Sequence, residues 1–196
     1  VAVPRIAISG KSGCGATTAT KLVSAALGVP AYNYTMRDLA AERGTTLDAL
    51  QKKALVDGGS IDFELDRRQV SFVVANPSGF VLGSRMAIWL DDNRVLSKLH
   101  ALQKPQIDYR FWLSTPLQER AKRVAQRESR QYGDALQHVE KRDEENAQRY
   151  SKLYGINVDS MPSGTIEIDT TRNNAQQVAG IIIDCVERKN LRGLKV

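Results

Sequence analysis

Between positions 10 and 18 the chain reads G-K-S-G-C-G-A-T-T. Glycines at 10, 13 and 15 allow a tight backbone turn whose N–H groups approach an anion closely. Before the turn stands R-I-A-I-S, a short apolar run with β-branched residues. After it, A-T-K-L-V-S-A-A-L has the apolar spacing of a helix. A strand, a glycine-rich turn and a helix aiming its positive dipole end at that turn together bind phosphate. Gly10, Lys11, Ser12, Gly13, Cys14, Gly15, Ala16, Thr17 and Thr18 are therefore the expected phosphate site. Thr17 falls where such a loop places a magnesium-binding hydroxyl. The usual lysine position holds Ala16, and Lys11 is the residue expected to send an ammonium back to the phosphates. Cys14 stands where an anion loop would favour a thiolate, although a small residue that fits the turn is the plainer reading.

Arginine is the second chemical signal. Arg120, Arg123 and Arg127 share one predicted helix. On another, Asn146 and Arg149 lie about 40° and about −20° around the axis from Arg142, so the three point one way. Taken alone, either group reads by default as a solvated, salt-bridged face. Arg37, Arg67, Arg68 and Arg85 are scattered, and Arg85 follows an apolar strand at the edge where parallel sheets bind ligands. A phosphate loop with arginines on separate lobes suits phosphoryl transfer between nucleotides. That chemistry is mostly positioning and charge neutralisation by Mg²⁺, Lys and Arg.

Strands that alternate with helices must hold these residues. Strands are predicted over 3–9, 31–35, 80–82, 109–113 and 165–168. Helices are predicted over Ala16–Leu27, 36–43, 46–56 (capped by Thr46) and from a Ser60 cap onward. A basic helix follows a Ser114-Thr115-Pro116 cap, and Gly133 separates it from 134–153; a last helix covers 174–188, with a frayed tail beyond Lys189. Residues 91–104 read as irregular with some helical character. This order predicts an α/β fold, a parallel sheet covered on both faces, in a single domain over 1–196. The stretches 36–75 and 120–154 are expected to cap the active edge as movable lobes. The net charge of +6 suits an anionic partner. Acids interleaved with the arginines of 110–149, and the lack of an aromatic stacking platform, argue against nucleic acid. No apolar run reaches membrane-span length, no signal peptide is read, and two distant cysteines suit a reducing cytosol.

At this point the sequence resembles a cytidylate kinase of the short, archaeal-type branch of the nucleoside monophosphate kinases. The resemblance runs from Arg5 to Cys185. It is carried by the loop, by M-R-D-L-A-A-E-R-G, I-D-F-E-L-D-R-R-Q and V-L-G-S-R-M-A-I-W-L. It continues in R-F-W-L-S-T-P-L-Q-E-R-A-K-R-V-A-Q-R-E and K-R-D-E-E-N-A-Q-R-Y-S-K-L-Y-G-I. The resemblance implies a P-loop kinase fold with a nucleotide-binding lobe and an arginine-rich lid, ATP with Mg²⁺ as donor, and CMP or dCMP as acceptor. It implies that Arg123 packs on the donor base and Arg127 reaches the transferred phosphate. Arg37, Arg85, Arg142, Asn146 and Arg149 would hold the acceptor. A cytoplasmic monomer without membrane or nucleic-acid partners is expected. Two departures stand out: Gly83 where an acid usually helps order Mg²⁺, and Asn146 where an acid usually reads cytosine. Residues 91–105 are also longer than expected. The alternatives are a kinase for UMP or another small metabolite, and a nucleotide-binding module without catalysis.

Overall fold

A computed structural model describes residues 3–193. Five parallel strands, β1 (Arg5–Gly10), β2 (Ala31–Tyr32), β3 (Phe80–Gly83), β4 (Tyr109–Ser114) and β5 (Thr165–Asp169), form one sheet in the order β2-β3-β1-β4-β5. Register is set by pairs such as Ile6 with Val81 and Ile8 with Phe111. Side chains alternate strictly across the sheet, as a strand's period of two requires. Ile6, Ile8, Val81, Phe111 and Leu113 face α1 (Ala16–Leu27) and α8 (Ala175–Gly193). Ala7, Phe80, Leu82 and Trp112 face the opposite layer. That layer contains α4 (Ser60–Ala75), α5 (Asn93–Leu99) and α7 (Tyr132–Tyr154). Each of the larger aliphatic or Phe side chains so buried contributes about 1.5–3 kcal/mol, against about 0–1 kcal/mol for an exposed ion pair. The sheet is therefore held by its two faces, not by the surface arginines.

Two smaller clusters sit outside these layers. α2 (Met36–Glu42), α3 (Leu47–Ala54) and the start of α4 pack Met36, Leu39, Leu50, Ile61 and Leu65 together. α6 (Leu117–Glu128) meets the start of α7 through Val124, Ala135 and Val139. Thr46 caps α3 as expected, its hydroxyl accepting from Ala49 N at 3.1 Å. Three predicted boundary devices are replaced. Asp57 caps α4 instead of Ser60, accepting from Gly59 N and Ile61 N. Thr115 turns its hydroxyl to Thr170 at 2.6 Å, leaving α6 to start at Pro116 without a side-chain cap. The break before α7 falls at Ser129, in left-handed conformation (φ 52°), while Gly133 lies inside the first turn. Within 91–104, α5 buries Val95, Leu96 and Leu99 in the second layer, which gives that stretch a packing role. α8 runs past Lys189 to Gly193, and residues 194–196 of the expected frayed tail lie outside the described residues. Among the described residues no helix is long and apolar enough to cross a membrane.

Gly83 ends β3 under crowding. A Cβ there would collide with Thr20 Oγ1 and stand 2.9 Å from Asn33 Nδ2. Thr20 is buried in α1, and its hydroxyl is held by Ala16 O at 2.8 Å, so it has little room to yield. Gly83→Ala should lose about 1–3 kcal/mol in urea unfolding, as overpacked cores do. Adding Thr20→Ala should recover part of that loss, and additive losses in the double variant would show that the collision is not the cause.

A cationic cleft at the carboxyl edge of the sheet

β1 leads straight into the glycine loop, which ends at α1. Gly13 and Gly15 adopt φ of 84° and 96°, where a side chain would be strained. Gly15 is the N-cap of α1 and offers no side-chain cap, so the first N–H groups of the helix stay open toward the loop. Thr17 is exposed in the first turn. The loop forms one wall of a cleft of about 590 Å³. The cleft lies at the carboxyl ends of the central strands, where parallel sheets place ligands. All of the predicted loop residues line it, as do Arg37, Arg85, Arg123, Arg127, Arg142, Asn146 and Arg149. Lys and Arg supply eight of its lining residues, while Asp38 and Asp66 are its carboxylates.

The loop is held from below by a carboxylate that sequence reasoning passed over. Asp143 on α7 accepts from Ser12 N (3.2 Å), Arg85 Nη2 (2.8 Å) and Arg120 Nη1 (2.5 Å). Arg120 is buried and also donates to Ser12 O at 2.9 Å. It supports the loop from beneath and does not face the cleft. The guanidiniums of Arg85 and Arg120 hold the Asp143 carboxyl below the usual range against the opposing effect of burial. In K-R-D-E-E-N this aspartate looks like part of a solvated acidic run, and nothing in its spacing separates it from Glu144 and Glu145.

The arginines fall into three environments. Arg123 is tied between Cys14 O (3.3 Å) and Thr170, through Thr170 O (2.6 Å) and Thr170 Oγ1 (3.0 Å). Arg37 and Arg127 are exposed and converge on Glu128, each at 2.7 Å. Arg85 and Arg142 are more deeply set. Arg85 Nη1 and Arg142 Nε are buried without a hydrogen-bond partner. Burial, with Arg85, Arg37 and Arg127 nearby, pushes Arg142 down to about 10, so it stays charged at neutral pH. Lys11 pairs with Asp159 beyond α7 at 3.0 Å.

Two expectations need correction. Cys14 is a buried thiol whose ionisation burial pushes up, so the loop does not favour its thiolate. Its sulfur packs where a Cβ on Gly10 would fall, which is the small-residue role. Arg142, Asn146 and Arg149 do share the cleft, yet Arg149 is not free beside Arg142. Its Nε donates to Asp62 Oδ2 at 2.7 Å and its Nη2 to Asn146 Oδ1 at 2.8 Å. A guanidinium only donates, so this bond fixes the Asn146 amide with its oxygen turned to Arg149.

Sequence reasoning also missed the buried polar stripe of α4. Asp62, Asp66 and Gln69 are buried alongside Ile61, Leu65, Val70 and Val73. The signal was present: acids at 62 and 66 fall in the apolar rows of the helix, four residues apart. Asp66 accepts from Tyr154 Oη (2.6 Å) and Gln69 Nε2 (3.0 Å), and burial raises its carboxyl to about 7.

Comparisons with known proteins agree with this architecture. A profile of the AAA domain family matches residues 6–148. The chain is 32% identical over 191 residues to "Cytidylate kinase 2" of Borreliella afzelii, covering 96% of this chain and 99% of that protein. It is 32% identical to "Cytidylate kinase" of Methanococcus aeolicus, covering 94% and 98%. Against "Cytidylate kinase" of Pyrococcus furiosus it is 31% identical, covering 90% and 85%. Among solved structures it superposes on a shikimate kinase from Acinetobacter baumannii with TM-score 0.59 at 18% identity, covering 96% of each chain.

The titrations set two stability limits. Asp143, Asp108 and Glu128 are held below their ordinary range, so their contribution is present above it and lost as pH falls through their folded values. Asp66 is raised, so its contribution is full below the unfolded value near 4 and lost as pH rises through about 7. Asp66→Asn should flatten the decline in melting temperature between pH 5 and 8; an unchanged slope would place Asp66 outside it. Asp143→Asn should destabilise by about 3–5 kcal/mol in denaturant unfolding, the cost of stranding buried arginines. A loss under 1 kcal/mol would show that the loop does not depend on it.

Proposed function

We infer how the cleft works from one premise: the chain belongs to the cytidylate kinase family. It is an ATP-dependent nucleoside monophosphate kinase that moves the γ-phosphate of ATP to CMP or dCMP, giving CDP or dCDP. The observation that best supports a polyanionic ligand pair is that Arg85 Nη1 and Arg142 Nε are buried without a hydrogen-bond partner in the same cleft as the open loop amides. Buried donors without partners are costly, and phosphate oxygens would satisfy them. A nucleotide-binding module without turnover would have no use for a second set of arginines opposite the loop.

In this reading the amides of residues 10–18 cradle the β- and γ-phosphates of ATP, and Arg123 borders the donor base. Arg37, Arg85, Arg142, Asn146 and Arg149 hold CMP. Thr17 would hold Mg²⁺. A free hydroxyl fits an ion that takes few protein ligands and keeps phosphates and waters, and the crowding at Gly83 leaves no place for a strand-end carboxylate. When bound, Mg²⁺ supplies charge neutralisation across the phosphates. The reaction spreads charge over the transferred group's equatorial oxygens, so catalysis falls to cations already in place. Lys11 and Arg127 are the catalytic pair. Each is held by a carboxylate, Asp159 and Glu128 respectively, and exchanges it for phosphate when nucleotide enters. Of the stretches 36–75 and 120–154, α4 and α7 are packed on the sheet, so closure over the pair falls to the α2–α3 segment and the rim arginines of α6, which exclude water and protect ATP from hydrolysis. The chain acts as a cytoplasmic monomer.

A coupled assay with Mg²⁺-ATP over CMP, dCMP, UMP and AMP tests this reading. Turnover of CMP or dCMP is expected, and absence of both would overturn it. Lys11→Ala should lower kcat by about tenfold to a thousandfold. Wild-type turnover in that variant would pass the role to Arg127 alone.

A further inference from the structure

The fixed orientation of Asn146 leaves a recognition problem. Its oxygen already accepts from Arg149, so the amide meets the cleft mainly as an N–H donor. Those suit the ring nitrogen and carbonyl of cytosine, but the exocyclic amine of cytosine is a donor and requires an acceptor. Gln69 Oε1 already accepts from the Ser84 hydroxyl. Two carboxylates line the cleft. Asp38 is exposed at the start of α2, where its Oδ2 accepts from Thr35 N and Thr35 Oγ1, whereas Asp66 is the buried one.

We propose that Asp66 reads the exocyclic amine of the acceptor base and is the principal determinant of cytosine over uracil. This rests on CMP being the acceptor. Asp66 stands one helical turn along α4 from Asp62, the carboxylate that positions Arg149 and, through it, Asn146. A donor face on α7 and an acceptor face on α4 are thereby coupled through one guanidinium. Tyr154 Oη and Gln69 Nε2 each donate to a different oxygen of Asp66, which holds the carboxyl plane still while each oxygen keeps a lone pair. A carboxylate accepts from an amine and repels the carbonyl that uracil carries at the same position. A site built to pair one such group rejects the analogue that cannot pair, because its buried polar atom is left unmatched.

The electrostatic surroundings add a second signature. Asp66 is faced by Asp62 on its own helix and by Arg149, Tyr150 and Tyr154 from α7. Burial leaves it titrating near neutrality. Protonated, its O–H could donate to the uracil carbonyl, so discrimination should rise with pH.

The test compares kcat/KM for CMP and UMP. For Asp66→Asn, whose amide can donate to uracil, the CMP:UMP ratio should fall by about tenfold to a hundredfold with the ATP KM unchanged. In wild type the same ratio should climb between pH 6 and 8, and in Asp66→Asn it should stay flat. The shared ionisation of the two acceptor phosphates cancels in the ratio. Parallel loss on both acceptors, or a pH-independent wild-type ratio, would overturn the proposal. The pH series needs no variant, so a poorly folding Asp66→Asn would not shield it. A wild type that phosphorylates neither acceptor refutes the kinase reading itself, and this inference with it. A CMP-preferring wild type whose ratio survives Asp66→Asn refutes this inference alone.

Discussion

The cleft gathers cations that repel one another, and the Asp143 carboxylate is what lets them coexist. It joins an amide of the glycine loop, Arg85 at the end of β3 and Arg120 of α6. Three elements far apart in sequence thus meet on two oxygen atoms. Exposed pairs contribute little, but this one is buried, and removing its negative charge would leave two guanidiniums confined without a counterion. The price of concentrating positive charge for two nucleotides is therefore met beneath the loop, where no substrate reaches.

A second carboxylate set is arranged differently. Glu128 and Asp159 hold Arg37, Arg127 and Lys11 at the rim, where the cationic side chains are exposed and the pairs weak. Depth separates the two roles. Buried Asp143 fixes the scaffold, while the rim carboxylates pair with exposed cations.

Much of the fold was legible because strands and helices carry different periods. The continuous apolar runs at 6–8, 80–82 and 111–113 follow from burial on both faces of the sheet, and the 3.6-residue spacing of α1 from burial of one face. Boundaries were less legible. Ser60, Ser114 and Gly133 are good terminating residues in isolation, yet the caps went to Asp57 and Ser129 because tertiary packing chose the angle at which the chain enters each helix. The cleft residues of the loop and the arginine helices were readable because glycine spacing and like charge leave a local pattern. Asp143 and Asp66 were not. A buried carboxylate has the same sequence signature as a solvated one until the partner that justifies its burial is brought in from another element. Asn146 shows the same limit: its position on the helix was predictable, while the direction of its amide was set by a bond to Arg149.

The crowding around Gly83 bears on how this chain can change. An acid at that position needs smaller residues at 20 and 33, since Thr20 and Asn33 already fill the space its first carbon would occupy. Thr20 lies on α1 and Asn33 just beyond β2, so the space at the end of β3 is shared by three elements. A side chain introduced at 83 alone carries the overpacking cost, and the order of change that avoids it begins with a smaller residue at 20 or 33.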